Sequence, residues 1–248
     1  MKVLLLTLQA PMMSFGAPMI DHYGVIQSYP ASSLLIGMMA NALGLRHHES
    51  DKLNRLQQRM QYACRQDRAG SKVRDYQTAD LGQEFMLDTH AWTTRGKTEE
   101  RKGGGASKGT HIRLRDYFAD ARHTIALTLT PETESPTLEA LAEALKLPER
   151  PLFIGRKNCL PSAPVFAGLI EADNIIDALL RAQAPIGDSE SERKYRIWWP
   201  AGIEQDLVTA EQTLPVTDQR DWENQIHVGD RLVSTAQITL RKQKEADL

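Results

Sequence analysis

The residues best suited to chemistry lie in one stretch, "RGKTEERKGGGASKGTHIRLR", from Arg95 to Arg115. It holds seven Lys/Arg against two Asp/Glu, with three consecutive glycines. The chain of 248 residues carries 30 basic and 32 acidic side chains, a net of −2. Outside the stretch, 23 basic and 30 acidic residues leave −7, so an acidic body bears an arm of +5. Lys97, Arg101, Lys102, Lys108, Arg113 and Arg115 suit a polyanion. Each cation that meets a phosphate releases condensed counterions, so such an arm clamps a nucleic-acid backbone with little sequence preference. Glycines let the main chain approach phosphates and offer N–H groups. The same composition is also that of a solvated loop that binds nothing.

Three further motifs could bind, and each has a plainer reading. In "GRKNCLPS", Gly155 can supply positive φ while Arg156 and Lys157 supply charge, or the segment is simply a turn. In "APMMSFG", Met12, Met13 and Phe15 could stack on bases, or fill the core. "RDY" occurs at Arg74-Asp75-Tyr76 and Arg115-Asp116-Tyr117, flanking the arm, where Arg and Tyr could grip RNA or pair with each other. Catalytic patterns are thin. "GGGASKGT" fails as a phosphate-binding P-loop because Thr110 stands where the lysine belongs. The seven histidines make no HExxH and no zinc spacing, and no serine sits in a GxSxG elbow. His111 with Lys108 could support metal-free RNA cleavage, one shuttling protons and the other stabilising a phosphorane, but no orienting partner is visible. The expectation is therefore no catalytic site, no metal and no cofactor.

The elements that must position these residues read as α+β. Length and a 41% apolar fraction suit one large domain, or a domain with an appendage. The apolar run Val3 to Leu6 is too short for a signal peptide, no window approaches a membrane span, and Cys64 and Cys159 fit a reducing compartment, so a cytoplasmic protein is expected. Lys2 to Gln9 reads as a buried strand. A helix follows Pro30 with Ser32 or Ser33 as N-cap, and another starts at Ser50. "QYACRQDR" and "KVRDYQT" read as strands joined at Gly70, and "YFADARHTIALTL" as a third. A helix capped by Ser135 with Pro136 at its first position comes next. Then follow the strand "VFAGLIEA", a short helix capped by Asp173, and the strands "KYRIWWP" and "LVSTAQITL". The order β–α–(α)–β–β–α–β is that of the ferredoxin-like, or split βαβ, arrangement shared with RNA-recognition modules. Residues 1–76 and 113–187 would form this palm, 77–112 an inserted hairpin arm, and 188–248 an extension of strands packed on the palm.

Five segments, "LLLTLQAPMMSFG", "SYPASSLLIGMMANALGL", "RDYQTADLG", "RLRDYFADARHTIALTLTP" and "PLFIGRKNCLPSAPVFAG", occur in an order that resembles the CasD (Cas-five) family of type I-E CRISPR Cascade subunits. The resemblance runs from the first strand to about Leu169. It implies an RNA-recognition-like palm with a basic thumb, capping one end of the Cascade filament and holding the 5′ handle of the CRISPR RNA. The implied partners are that RNA, the repeating backbone subunit and the large subunit, with target DNA near the protospacer-adjacent motif as a further contact and no membrane. The RNA-binding candidates are then Met13, Phe15, Ser33, Arg74, Tyr76, Lys97, Arg101, Lys102, Lys108, His111, Arg113, Arg115, Arg156 and Lys157. Relatives in type I-C systems are endoribonucleases, so a metal-independent nuclease making the handle is the alternative, and an adaptor whose arm touches only protein is a third. The insert is longer and more glycine-rich than a compact thumb, and the tail from Asp188 has little counterpart.

Overall fold

An apolar run such as Val3 to Leu6 marks a strand covered on both faces. In the computed structural model, Leu4, Leu6 and Leu8 face one buried layer, and Val3 and Leu5 the other. The structure describes residues 1–17, 23–80, 90–92, 98–100, 110–185, 192–203 and 208–241. In chain order the strands and helices begin with β1 (Lys2–Gln9), β2 (Met12–Met13), β3 (Tyr23–Gly24), α1 (Ser32–Ala42), α2 (Ser50–Arg59), β4 (Met60–Arg68) and β5 (Ser71–Asp80). They continue with β6 (His90–Trp92), β7 (Thr98–Glu100), β8 (Thr110–Ala119), β9 (Arg122–Leu129), α3 (Leu138–Lys146), β10 (Phe166–Glu171) and α4 (Ile175–Arg181). The last are β11 (Glu192–Pro200), β12 (Gln212–Val216), β13 (Gln219–Asp221), β14 (Ile226–Val228) and β15 (Arg231–Arg241).

The main sheet has seven strands in the order β10-β1-β9-β4-β11-β15-β12, every pair antiparallel. One layer is the packing of α1, α2 and α3 onto β1, β4 and β9 through Leu35, Ile36, Met39, Leu53, Leu56, Leu141 and Leu145. On the opposite face, Ile175, Ile176, Ala178 and Leu179 of α4 cover Val3, Leu5, Ala63 and Ala126. Much of the surface that an open RNA-recognition sheet offers is thus under a helix.

Of the strands after residue 188, β11, β15 and β12 prolong the main sheet from the edge of β4, and Tyr195, Ile197, Ala236 and Ile238 share the buried layer under α4. Residues 60–80 hold a surprise, because β4 and β5 do not pair with each other. β4 pairs with β9 and β5 with β8, so the two ladders form one long hairpin that bends at Gly70 and Asp120. The arm ladder therefore begins at Ser71 and Ala119, wider than 77–112.

Helix caps were also placed differently. α1 has Ala31 at its N-cap, and neither Ser32 nor Ser33 caps with its side chain. Asp218, far along the chain, accepts the Ser32 N–H on its carboxylate (3.0 Å) and the Ser33 N–H on its main-chain oxygen (3.0 Å). A carboxylate there also complements the positive end of the helix. α3 is capped by Thr137, whose hydroxyl accepts from the Ala140 N–H, rather than by Ser135. The carbonyls of Pro131, Glu134 and Pro136 are held by the buried Arg59. α4 is capped by Asn174, one residue after Asp173, through Ile176 N and Asp177 N.

Candidate nucleic-acid interface

The turn at Gly155 to Cys159 is where charge meets the arm. Gly155 has φ +91°, and a Cβ there would lie 1.7 Å from the Ser14 carbonyl oxygen, so a side chain is excluded. The Ser14 N–H donates to Ile154 O (3.2 Å), fastening the turn to the loop after β1. Inside the turn, Ile154 N donates to Cys159 O and Cys159 N to Arg156 O. The segments "GRKNC" and "APMMSFG" are thus neighbours in space.

Arg156 reaches from this turn to the arm's base. Its guanidinium lies 4.6 Å from the Tyr117 ring centroid, within cation–π range. Nη1 donates to Asp116 O (3.2 Å) and Nη2 to Gly24 O (3.4 Å). Arg115 converges on the same place: a Cβ on Gly24 would meet Arg156 Nη2 at 2.7 Å and Arg115 Nη1 at 3.0 Å. Successive residues of a strand face opposite sides, so Arg113, Arg115 and Tyr117 share a face with Arg156. Arg74 and Tyr76 belong to the other face, with Asp116 and Leu114. Arg74 grips the buried Asp116 carboxylate with Nε (2.7 Å) and Nη2 (3.3 Å), and Lys72 adds a third contact at 2.9 Å. The Arg74 hydrogen bond, helped by Lys72, holds the Asp116 carboxyl at about 2. That folded value lies below the ordinary one, so the stabilisation is complete above the ordinary pKa and is lost as pH falls towards 2.

Beside the turn opens a cleft of about 650 Å³ between α1, the turn and the β13–β14 hairpin. Its cations are Arg46, Arg150, Arg156, Lys157 and Arg220, with His47 and His227, and among the described residues none that lines it is Asp or Glu. Arg150 is committed to Asn41 Oδ1 (2.8 Å) and the Leu45 carbonyl. Trp222 anchors the hairpin, donating from Nε1 to Gln57 Oε1 (3.3 Å) while its N–H meets Asn54 Oδ1 (3.2 Å). A lined concavity with an excess of one charge sign raises the local concentration of the opposite sign. Here that is an anion.

Each expected site residue has a definite place. Arg156, Lys157 and Ser33 line the cleft, and Arg115 meets Arg156 beside it. Arg113 is exposed on the Arg115 face of the arm, and Tyr76 is exposed on the opposite face. Met13 and Phe15 need correction. Both are fully buried, and Phe15 packs edge-on against His123 at 4.9 Å, so neither offers a face to a base. Arg74, expected to bind RNA, sits across the ladder from Arg156 and is tied to Asp116. Lys97, Arg101, Lys102 and Lys108 lie outside the described residues, and His111 is described by its backbone alone, opposite Ala79. The residues missed were Gly24, Arg46, Arg220 and His227. The hairpin was legible only as Ile226 and Val228 alternating after the polar "WENQ".

Comparison with known proteins adds identity to this geometry. Residues 3–234 match the family model described as CRISPR-associated protein (Cas_Cas5). The chain is 30% identical over 189 residues to the CRISPR system Cascade subunit CasD of Escherichia coli (strain K12), covering 76% of this chain and 80% of the relative. Among solved structures, a chain of a CRISPR RNA-guided surveillance complex superimposes with TM-score 0.67 at 23% identity, over 96% of this chain and 91% of that one. A Cas protein crystal structure does so with TM-score 0.60 at 25% identity, over 97% and 96%. With the family model spanning nearly the whole length, the chain belongs to the CRISPR-associated Cas5 family.

Proposed function

We propose that this chain is a non-catalytic subunit of a Cascade surveillance complex that holds the 5′ handle of the CRISPR RNA and caps one end of the filament. The observation that carries the reading is the cation-rich cleft, joined through Arg156 to the base of a basic arm. Phosphates approaching it meet cations whose charge no acid among the described lining residues neutralises. The β10-β1-β9-β4 part of the sheet, with α1 and α3 on one face, supports a ferredoxin-like palm, and the β5–β8 ladder supports a thumb projecting from it. The kinship with CasD points to the Cascade backbone and large subunits as neighbours.

Co-expression of the chain with its neighbouring subunits and a CRISPR array, followed by nuclease footprinting of the bound RNA, tests this. The handle should be protected only when the chain is present, and replacing Arg156 and Lys157 with Ala should weaken that protection. A handle protected equally without the chain would remove the reading. Incubation of the purified chain with repeat RNA in chelator should leave the RNA intact, and a discrete repeat fragment would instead establish a nuclease.

A further inference from the structure

We propose that the β13–β14 hairpin and the end of α1 form a second jaw for the same RNA strand, gripping its phosphates through Arg46, Arg220 and His227. The inference rests on the reading of the cleft as an RNA site and extends it to a part of the chain that the sequence did not single out. Arg220 and His227 lie opposite each other in the two-stranded ladder, and both line the cleft. Arg220 is held in place: its guanidinium lies 5.4 Å from the Trp222 ring, Nη2 donates to Gln225 O (3.1 Å), and its main-chain N–H and oxygen are both bound by Gln57. Arg220 Nε is buried and has no hydrogen-bond partner among the described residues. The hairpin is thus a rigid mount, which lowers the ordering cost of any contact it makes.

Arg46 is positioned from the other side. Gly44 has φ +77°, and the Gly44 N–H to Asn41 O and Leu45 N–H to Ala40 O bonds close α1 in a Schellman motif. The chain then turns so that Arg46 and His47 line the cleft, with the His47 ring 6.4 Å from Trp222. Two nearby carboxylates, Glu49 and Asp221, are engaged by other donors. Glu49 accepts from Arg46 N and Lys52 Nζ, and Asp221 accepts from Glu223 N and Asn224 N within the hairpin's own turn. Because this end shares one cleft with Arg156 and Lys157, a strand held at the turn is led to the hairpin. That continuity favours RNA over an acidic protein segment.

The test uses the purified full-length chain and a fluorescein-labelled single-stranded RNA followed by anisotropy across a salt series. R46A and H227A replace exposed side chains, K157A reports the turn end, and R55A serves as a cation outside the cleft. R46A should weaken binding about tenfold, as expected for losing a charge-assisted hydrogen bond, and lower the log–log salt slope by roughly 0.7, the single-strand value per phosphate contact. R46A combined with H227A should weaken it further, while R55A changes nothing. Melting curves check that each variant is folded, and R46K should restore most of the slope. If K157A weakens binding while R46A and H227A retain full affinity and slope, the second jaw is overturned and the RNA reading survives. A wild-type chain that binds no RNA overturns both. Variants that keep RNA affinity but fail to assemble with the neighbouring subunits would assign this end of the cleft to protein and overturn the proposal.

Discussion

Two groups of arginines in this molecule have opposite surroundings. Arg65 is fully buried, and every nitrogen is used: Nε on Asp67 (2.6 Å), Nη1 on Leu179 O (2.7 Å) and Ala182 O (2.9 Å), Nη2 on Gln183 O (3.0 Å). Thr124 completes the second Asp67 oxygen at 2.6 Å. This cluster closes the C-terminal end of α4, where carbonyls lack helical partners, and pins that helix to β4. Arg46, Arg156 and Arg220, joined by Lys157, instead line a cleft with no carboxylate among its described lining residues. Burying a charge is tolerable only when paired and hydrogen-bonded, so the first group is consumed by the fold. The second keeps its charge for an anion from outside.

The largest effect that could break this contrast is at Arg65. Arg65→Ala leaves Asp67 buried without its main partner and should cost about 3–5 kcal/mol. Urea unfolding measures it, and RNA affinity of the folded fraction should not change. A loss of affinity with unchanged stability would place Arg65 on the functional side.

His123 is next. Burial pushes its pKa down to about 4, although the Ser28 carbonyl at 3.1 Å favours the charged form. Between the ordinary value and about 4 only the unfolded chain binds this proton, so stability rises with pH through that window. Acidification across it should remove on the order of 2–3 kcal/mol relative to a His123→Leu variant, at 1.36 kcal/mol per pKa unit. Parallel stability curves for the two proteins would show that the ring is not held neutral.

Arg156 sharpens the comparison because it belongs partly to both groups. It is half-buried and donates to two carbonyls, yet it lines the cleft. Arg156→Ala should weaken handle binding by about 1.5–3 kcal/mol. Arg156→Lys should recover only part, because a point charge cannot reproduce the planar fork over Tyr117. If Arg156→Ala lowers the melting temperature and leaves handle affinity intact, this residue joins Arg65 as a structural latch.

The smallest effect is expected at Arg74, on the opposite face of the arm and already neutralised by Asp116. Arg74→Ala should change RNA affinity by less than about twofold, as for exposed ion pairs of small net worth. A salt slope reduced as much as by Lys157→Ala would show that an ion-paired cation on the far face also meets phosphate.

Much of the architecture was readable from local pattern. Leu4 to Leu8, Ile125 to Leu129 and Leu138 to Leu145 carry strand and helix periods strong enough to place β1, β9 and α3. Cap positions slipped because a Ser or Thr near a helix start is a local signal, and the acceptor for α1 is Asp218, reached only through tertiary contact. The arm's width slipped for a related reason. "RDYQT" looks like any polar strand, and only the Ser71–Ala119 register shows that the ladder has already left the palm.

The sequence by itself determined that cations gather around the arm and the Gly155–Cys159 turn, that the chain mixes helices and strands as an α+β fold, and that the segments resemble a Cas5-type chain. Those properties are carried by composition, spacing and order. Tertiary structure alone decided which cations are spent. Arg74 meets Asp116 across a ladder, Met13 and Phe15 turn inward, and the β13–β14 hairpin swings beside α1 to bring Arg220 and His227 to the turn's cleft. Charge compensation and burial depend on distances through space between residues far apart in the chain, and no local pattern encodes those distances.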